Sequence, residues 1–191
     1  YKYLNAGPGA PAFIHVAKRH HDALRQPLTG WWSHADPFAF SPDYERSPGI
    51  RAMLTGTQPI LSMRAIVAAL DALEGVDFHA VRAKSQALTD LFIALVEERC
   101  SGHGLELATP RDAAIRGSHV SWSHENGYAI SQALVARGVV GDFRAPDIMR
   151  FGFAPLYLRF SDVAAAVDQL RDILKSGAWR DPAYAQRSLV T

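Results

Sequence analysis

Residues 26–59 of this 191-residue chain carry a proline or a glycine at eight positions, which leaves no room for a sustained helical or strand period. The eight are Pro27, Gly30, Pro37, Pro42, Pro48, Gly49, Gly56 and Pro59. A loop of this length within a folded protein usually has a function or packs against other protein. It also contains five aromatic residues: Trp31, Trp32, Phe38, Phe40 and Tyr44. We therefore expect it to pack against protein outside this chain or against a partner subunit.

The first four residues, Tyr1-Lys2-Tyr3-Leu4, include no Met, and three of the four side chains are bulky enough to favour burial. Chain termini are usually looser and more polar than this. We expect the sequence to begin at an internal position of a longer protein; a trimmed chain with an unusual first strand is the alternative. After the turn-rich residues 5–11, the run at residues 12–16 predicts a short strand.

Two stretches after the long loop have apolar residues at helical spacing. The first predicts a helix from about residue 58 to residue 73, with Thr57 as its cap, Pro59 in its first turn, and burial on more than one side. The second predicts a long helix that starts after the capping residue Asp77 and ends near Cys100.

Short apolar runs alternate with helical patterns in the rest of the chain. The runs at residues 105–108, 119–122, 139–143 and 149–153 predict strands, and residues 127–137 predict a helix ended by Gly138. A last helix is predicted from Ser161 to Gly177, followed by a loosely held tail from Trp179. This alternation predicts a compact α/β unit over residues 77–178.

The composition excludes several classes of protein. Twenty Lys and Arg residues against 19 Asp and Glu residues give a formal net charge of +1, which favours neither nucleic acid nor a membrane surface as a partner. The single cysteine, Cys100, excludes an internal disulfide and a cysteine-rich zinc site. No apolar run approaches the roughly 20 residues of a membrane span, and no signal peptide is visible. We expect a cytoplasmic protein.

The sequence also lacks common metal and nucleotide motifs. His20 and His21 are adjacent, His119 and His124 lie five residues apart, and there is no His-Glu-x-x-His pattern. No metal site is therefore predicted. The Gly-x-Ser-x-Gly elbow, the dinucleotide glycine fingerprint and the Walker lysine pattern are missing too.

Lys2 is the first candidate for chemistry. It lies between two tyrosines and precedes a Gly-Pro-Gly turn. Poor hydration lowers the pKa of an amine and makes it nucleophilic, as a lysine that forms a Schiff base requires. The alternative is a surface lysine whose stem lies along apolar side chains.

Arg150 is the second candidate, because it interrupts the apolar run of residues 148–153. In a strand, Arg150 faces away from Met149 and Phe151. A guanidinium in such a run needs a partner, which is either a structural acid or the carboxylate of a ligand held by two hydrogen bonds. His34, in the long loop, either lines a pocket or is solvated.

Four short stretches, taken together, resemble kynureninase. They are Tyr1-Lys2-Tyr3-Leu4-Asn5-Ala6-Gly7-Pro8-Gly9; Gly30-Trp31-Trp32-Ser33-His34; Thr55-Gly56-Thr57-Gln58-Pro59-Ile60-Leu61; and Met149-Arg150-Phe151 followed by Ala154-Pro155-Leu156-Tyr157. They occur in the family's order and span about residues 1–160. The resemblance implies the C-terminal part of a fold-type-I pyridoxal-phosphate (PLP) enzyme of the aspartate-aminotransferase superfamily, acting as a homodimer.

The resemblance implies a role in cofactor binding for four residues. Lys2 would hold PLP as a Schiff base, and Tyr1 would reach the cofactor phosphate and assist proton transfer. Trp31 and Thr57 would contact the phosphate, in this family from the neighbouring subunit.

The resemblance also implies the substrate contacts and the reaction. Arg150 would bind the substrate α-carboxylate, and Trp32 and His34 would line the substrate pocket. The implied reaction is the hydrolysis of L-kynurenine to anthranilate and L-alanine, in tryptophan catabolism and NAD biosynthesis, and the choice between kynurenine and 3-hydroxykynurenine stays open. Two alternatives remain open. One is another fold-type-I enzyme such as a cysteine desulfurase, although Cys100 looks structural. The other is a binding module without catalysis.

By the same resemblance, residues 1–76 would end the large PLP-binding domain and carry the dimer and active-site loop. Residues 77–178 would form the small C-terminal α/β domain, with residues 179–191 as a tail. The phosphate-binding loop, the aromatic residue that stacks on the ring and the carboxylate that pairs with the ring nitrogen would lie in an N-terminal half. Without that half, the chain is expected to be inactive.

Overall fold

The computed structural model describes Lys2 and residues 4–186. The chain divides into two units, Tyr1–Gly75 and Val76–Thr191. Among the described residues, no helix combines the length and the apolar character needed to cross a bilayer.

Most of the first unit is irregular. It contains three short 3-10 helices, Lys18–His20, Trp31–Ser33 and Gly49–Met53, and one α-helix, α1 (Ile60–Asp71). The strand expected at residues 12–16 is wrong: these residues have no regular structure, and Phe13 is 76% exposed. A strand requires a neighbour that bonds its backbone groups. The described part of this unit has no β pairing beyond one isolated bridge between His34 and Arg46.

Helix α1 starts at Ile60, two residues later than expected, and Thr57 does not cap it. Pro59 occupies the N-cap position, where no side chain bonds a backbone N–H. The expected burial on more than one side is also wrong for this chain. Leu61 is 89% exposed and Ile60 is 63% exposed. Within α1, Ala69 is the one buried residue. The apolar sequence of α1 therefore predicted the helix correctly but not what surrounds it.

The long loop has more internal structure than its prolines and glycines suggested. The Ser47 amide donates to the Ser33 carbonyl oxygen at 2.8 Å, and the Ala35 amide donates to the Glu45 carbonyl oxygen at 2.8 Å. Ser33, Ser47 and Ala52 are buried. Backbone pairing between residues 33–35 and 45–47 thus closes the loop on itself.

The second unit contains a four-stranded sheet, and all four expected strands are confirmed. They are β1 (Glu106–Leu107), β2 (His119–Ser123), β3 (Asp142–Arg144) and β4 (Ile148–Gly152). Their order in the sheet is β1-β2-β4-β3, and each neighbouring pair is antiparallel. β4 is therefore a central strand, bonded on both edges.

Three helices of this unit also match the expectation: α2 (Phe78–Arg99), α3 (Gly127–Ala136) and α4 (Phe160–Ser176). The Asp77 carboxylate accepts a hydrogen bond from the His79 amide at 2.8 Å and so caps α2 as predicted. Gly177 ends α4 with a φ of 70°, a left-handed conformation that favours glycine.

The core lies between the helices and one face of the sheet. Phe92 of α2 contacts Phe151 and Phe153, with ring centroids 5.0 and 5.1 Å apart. Tyr128 of α3 packs edge-on against Phe143 of β3 at 5.4 Å. Helices α2, α3 and α4 pack on this face, and the side chains that alternate with the core residues along the strands point to the other face.

The end of the described chain is held more firmly than expected. A 3-10 helix, Ala178–Arg180, and helix α5 (Pro182–Ala185) follow α4, and Trp179 and Tyr184 pack against the core. The Tyr128 hydroxyl donates to the Gln186 carbonyl oxygen at 3.0 Å. The expectation of a loose tail is therefore wrong through residue 186, because these aromatic side chains gain burial there.

A buried arginine that the sequence analysis missed ties the loop before β2 to α2. Arg116 is 4% exposed. Its guanidinium contacts the Asp90 carboxylate and donates to the Thr89 hydroxyl at 3.0 Å and to the Arg111 carbonyl oxygen at 2.7 Å. Each nitrogen has a partner, so this charge is stabilised despite its burial.

We expect Arg116→Ala to lower the free energy of unfolding by about 2–4 kcal/mol, because it removes several charge-assisted hydrogen bonds and leaves a cavity. Urea denaturation measures the loss. The control is Arg111→Ala, which removes an exposed guanidinium paired with Glu97 and should change stability little. Equal effects of the two variants would show that burial of Arg116 is unimportant.

Candidate active site

The sheet face left uncovered by the helices carries Arg150. Met149 and Phe151 point into the core and Arg150 points the other way, as the alternation predicted. In the antiparallel ladder, Ser121 of β2 and Asp142 of β3 lie directly opposite Arg150 on its two sides. The register therefore brings an acid beside the arginine.

Arg150 is paired with Asp142. Arg150 Nε donates to Asp142 Oδ2 at 3.1 Å, and Arg150 Nη2 contacts the same oxygen. Arg144 Nη2 lies 3.0 Å from that oxygen as well. Of the two partners that the sequence left open, the structure thus supplies a structural acid. It also leaves the Arg150 side chain 36% exposed, and Nη1 bonds no residue in the described part of the chain.

A cluster of aromatic rings marks the other candidate region, in the first unit. Trp31 and Trp32 are stacked, with ring centroids 4.4 Å apart. Phe38 packs edge-on against both rings, at 5.8 and 6.2 Å. The Arg51 guanidinium carbon lies 5.6 Å from the Trp32 ring centroid, a cation–π distance.

Residues 55–58 hold this aromatic segment in place. The Trp32 indole Nε1 donates to Gln58 Oε1 at 2.7 Å, and the Trp32 amide donates to the Thr55 carbonyl oxygen at 3.4 Å. A Cβ added at Gly30 would lie 2.0 Å from that same oxygen, so glycine is required here. Two of the four stretches that carry the resemblance are therefore in direct contact.

Ser33 fixes the turn that carries the tryptophans. It is fully buried; its hydroxyl donates to the Gly30 carbonyl oxygen at 2.8 Å and accepts from the Tyr44 hydroxyl at 3.1 Å. The positions of the Trp31 and Trp32 rings are thus determined by backbone and side-chain bonds inside the loop.

Trp31 and Thr57, the two expected phosphate contacts, both present unused donors. Trp31 is 46% exposed, and Thr57 is exposed next to Gln58. Neither the Trp31 indole N–H nor the Thr57 hydroxyl bonds a residue that the structure describes. Exposed donors of this kind suit an anionic ligand.

His34 uses both ring nitrogens within the loop. Nδ1 accepts from the Asp36 amide at 2.9 Å, so Nε2 carries the proton and donates to the Asp43 carbonyl oxygen at 3.0 Å. With Trp31 and Phe40, His34 lines a pocket of about 360 Å³, whereas Trp32 does not line it. Any contact of His34 with a ligand is therefore through its ring surface rather than through a nitrogen.

Lys2 is exposed, at the start of a turn-rich segment. Its carbonyl oxygen accepts from the Asn5 amide at 3.2 Å, and the following turn has Gly7 and Gly9 at φ values of 78° and 96°. Tyr1 lies outside the described residues. The roles expected for Lys2 and Tyr1 remain predictions.

The structure brings four of the seven candidate residues into one region of the first unit: Trp31, Trp32, His34 and Thr57. Lys2 lies elsewhere in the sequence of that unit, and Arg150 lies in the second unit. No group of three or more His, Cys, Asp or Glu side chains within the described residues could hold a metal ion.

Sequence reasoning missed three residues that organise these regions: Ser33, Gln58 and Asp142. Asp142 had a readable signal, because an antiparallel pairing of residues 139–143 with 149–153 would have aligned it with Arg150. Ser33 and Gln58 both lie in stretches quoted for the resemblance. Nothing in those stretches predicts the bond of Ser33 with Tyr44 or that of Gln58 with Trp32, which the folded loop creates.

Cys100 lies at the end of α2 and is buried. Burial raises the pKa of its thiol to about 11, against a usual value of 9.0. A thiol of this kind is inert, because the thiolate is the nucleophile.

We expect Gly30→Ala to separate residues 30–34 from residues 55–58, because its Cβ would overlap the Thr55 carbonyl oxygen. The near-ultraviolet circular dichroism of the stacked tryptophans should weaken, and stability should fall by about 2–4 kcal/mol. Gly56→Ala, where a Cβ meets nothing within 4 Å, is the matched control and should leave both unchanged. An intact Trp signal in Gly30→Ala would contradict the close approach.

Cys100 should react slowly with a thiol reagent at pH 8 in the native protein and rapidly in urea. The folded thiol holds its proton to about pH 11, so its contribution to stability is present below pH 9 and is lost as the pH rises from 9 to 11. Cys100→Ser, which cannot react, gives the background rate. Rapid native reaction would show that the thiol is accessible and ionised.

Comparison with known proteins points to one family. Residues 81–170 match the family described as the kynureninase C-terminal domain. The kynureninase of Burkholderia mallei (strain SAVP1) is 57% identical over 191 residues, which cover 100% of this chain and 46% of that protein. The chain therefore spans about half the length of the curated relatives it matches.

Solved structures show the same fold at low sequence identity. A cysteine desulfurase from Thermococcus onnurineus NA1, solved as the apo form, matches with a TM-score of 0.69 and 14% identity, over 85% of this chain and 42% of that one. A C-DES mutant with glycine covalently linked to its PLP cofactor matches with a TM-score of 0.68 and 15% identity, over 83% of this chain and 40% of that one. The expected fold class, the C-terminal part of a fold-type-I PLP-enzyme fold, is confirmed. The resemblance inferred from four short stretches extends over all 191 residues, and the chain is similar to the C-terminal half of curated kynureninases.

Proposed function

We propose that this chain forms the C-terminal part of a PLP-dependent kynureninase, which hydrolyses L-kynurenine to anthranilate and L-alanine. The observation that carries the proposal is the 57% identity to a kynureninase over the whole chain. The structure adds support, because the stretches that carry the resemblance either contact each other or present polar groups to solvent. Residues 1–76 would complete a large cofactor-binding domain, and residues 77–178 would be the small domain.

The donor groups of the first unit fit PLP. Its phosphate needs N–H and O–H donors, and the Trp31 indole and the Thr57 hydroxyl are exposed donors without a partner among the described residues. Its aldehyde needs an amine, which Lys2 presents in an exposed segment. We assign Trp31 and Thr57 to the phosphate of a neighbouring subunit in a homodimer, with Tyr1 and Lys2 on the cofactor of their own subunit.

When bound, PLP supplies an electron-accepting ring that makes loss of the substrate α-proton and cleavage of the side-chain carbon–carbon bond possible. Lys2 would hold the cofactor aldehyde through Nζ, and its amine would accept the substrate α-proton at Nζ once the substrate amine has replaced it. Tyr1 would reach the cofactor phosphate and assist proton transfer. The overall reaction would add one water across the side-chain carbon–carbon bond of kynurenine: the acyl side would leave as anthranilate, and the three-carbon side would gain a proton and leave as L-alanine.

Arg150 orients the substrate in this scheme. The Nη1–Nη2 edge of its guanidinium can form two parallel hydrogen bonds with the α-carboxylate, because Asp142 occupies only the Nε–Nη2 edge. Two parallel hydrogen bonds to the carboxylate fix the orientation of the substrate α-carbon. Correct orientation of the reacting groups accelerates the reaction. Trp32 and His34 would line the aromatic end of the substrate pocket, with His34 contributing its ring surface.

The structural evidence on Cys100 disfavours the main alternative. A cysteine desulfurase needs a reactive thiol, whereas the single thiol of this chain is buried and has a raised pKa. The likeness to desulfurase structures, at 14–15% identity, concerns the fold.

The test of the proposed function is Lys2→Ala in the intact polypeptide that contains this chain. We expect loss of the visible absorbance of covalently held cofactor and loss of kynurenine cleavage, because the substitution removes the amine that we assign to the cofactor aldehyde. In the unaltered protein, borohydride reduction followed by peptide mapping should place the cofactor on the peptide that contains Lys2.

The matched control is Lys18→Ala, which removes another exposed lysine of the same unit. It should keep both the absorbance and the activity. Cofactor that remains covalently attached in Lys2→Ala would overturn the assignment. Alanine release from cysteine but not from kynurenine would overturn the proposed reaction.

A further inference from the structure

We propose that Asp142 is a positioning residue that holds Arg150 ready for the substrate α-carboxylate, and that Arg144 keeps the charge of this group of three favourable to an anion. The inference rests on the proposed role of Arg150. It concerns three residues on the uncovered sheet face that the β3–β4 register brings together.

Asp142 fixes the orientation of the Arg150 guanidinium. Asp142 and Arg150 are directly opposite each other in the antiparallel pair, and both Nε and Nη2 of Arg150 point at one carboxylate oxygen. Contact through two nitrogens fixes the plane of a guanidinium, which a single bond does not. An arginine side chain that is free to rotate loses rotamer freedom when it binds a ligand, which costs free energy. Asp142 removes that cost before the ligand arrives.

The Nη1–Nη2 edge of the Arg150 guanidinium stays available for a ligand. Nη2 carries two hydrogens, one on the side of Nε and one on the side of Nη1. Asp142 uses the Nε side, and Nη1 bonds no residue in the part of the chain that the structure describes. The side chain remains 36% exposed. One carboxylate can therefore bind the second edge without displacing Asp142.

Arg144 makes the net charge of the group of three positive. Asp142 alone would cancel the charge of Arg150 and repel an incoming carboxylate. Arg144 Nη2 lies 3.0 Å from Asp142 Oδ2, so the three side chains carry a formal net charge of +1. That charge matches a single carboxylate. The group of three thus combines a fixed guanidinium with net attraction for a monoanion.

The test is Asp142→Asn in the intact, PLP-loaded polypeptide. We expect the KM for L-kynurenine to rise about tenfold and kcat to fall by a smaller factor, because a mobile Arg150 binds the α-carboxylate less tightly and orients the substrate less well. The dissociation constant of L-alanine, measured by calorimetry, should rise by a similar factor. Kynuramine, which lacks the α-carboxylate, should inhibit Asp142→Asn and the unaltered protein equally.

Asp168→Asn is a matched control. Asp168 Oδ1 also accepts from two arginines, Arg99 at 2.9 Å and Arg171 at 3.0 Å, and has similar exposure. Its substitution removes the same charge from a similar cluster elsewhere in the second unit. KM and kcat should be unchanged.

Arg150→Gln separates failure of this inference from failure of the proposed function. If Arg150→Gln leaves the KM for kynurenine unchanged, the proposed role of Arg150 is wrong. If Arg150→Gln raises KM and Asp142→Asn does not, or if Asp142→Asn weakens kynuramine as much as kynurenine, positioning by Asp142 is overturned. In the Arg150→Gln background, Asp142→Asn should change KM by less than about twofold, because nothing remains to be positioned.

Arg144→Gln tests the contribution of the Arg144 charge without altering Asp142 or Arg150. It also provides a test of the proposal if Asp142→Asn does not fold. We expect KM to rise about threefold, because one of the two positive charges beside Asp142 in this group is then lost. The increase should shrink as salt is added. An unchanged KM at low salt would overturn the role of Arg144.

Discussion

The antiparallel register of β4 between β2 and β3 is the constraint on which the core and the candidate carboxylate site both depend. It points Met149 and Phe151 into the helix layer and Arg150 to the open face, beside Asp142. Because strand side chains alternate with a period of two, a shift of one residue would expose the two apolar residues and bury the arginine. The hydrophobic effect that fixes the register therefore also fixes the site.

The first unit achieves order by a different route. It has almost no regular sheet, yet residues 30–34 and 55–58 meet closely enough that only glycine fits at residue 30. The Gln58–Trp32 hydrogen bond and the buried Ser33 hydroxyl then set the position of the stacked tryptophans. In this unit, polar bonds and close backbone approach organise the candidate site, and the exposed helix α1 contributes no core of its own.

How well the sequence predicted each element follows from the range of the interactions involved. Helices α2, α3 and α4 and strands β1, β2 and β4 were predicted to within about one residue at each end, since periodicity, the Asp77 cap and Gly177 are local signals. Strand β3 begins three residues later than expected, and helix α5 was not predicted. The strand at residues 12–16 and the burial of α1 were not, because strand pairing and burial depend on neighbours distant in sequence. The same holds for Arg116, whose partners on α2 lie 26–27 residues away.

By itself, the sequence determined the α/β alternation of the second unit, the outward direction of Arg150 and the resemblance to kynureninase. Each of these is written in short stretches of residues, where spacing and side-chain type are directly visible. Only the tertiary structure decided that Asp142 is the partner of Arg150, that Gln58 holds Trp32, and that the Cys100 thiol is buried and inert. These contacts depend on which residues face each other across strands and loops. A short stretch of sequence does not reveal them, because folding brings the two partners together.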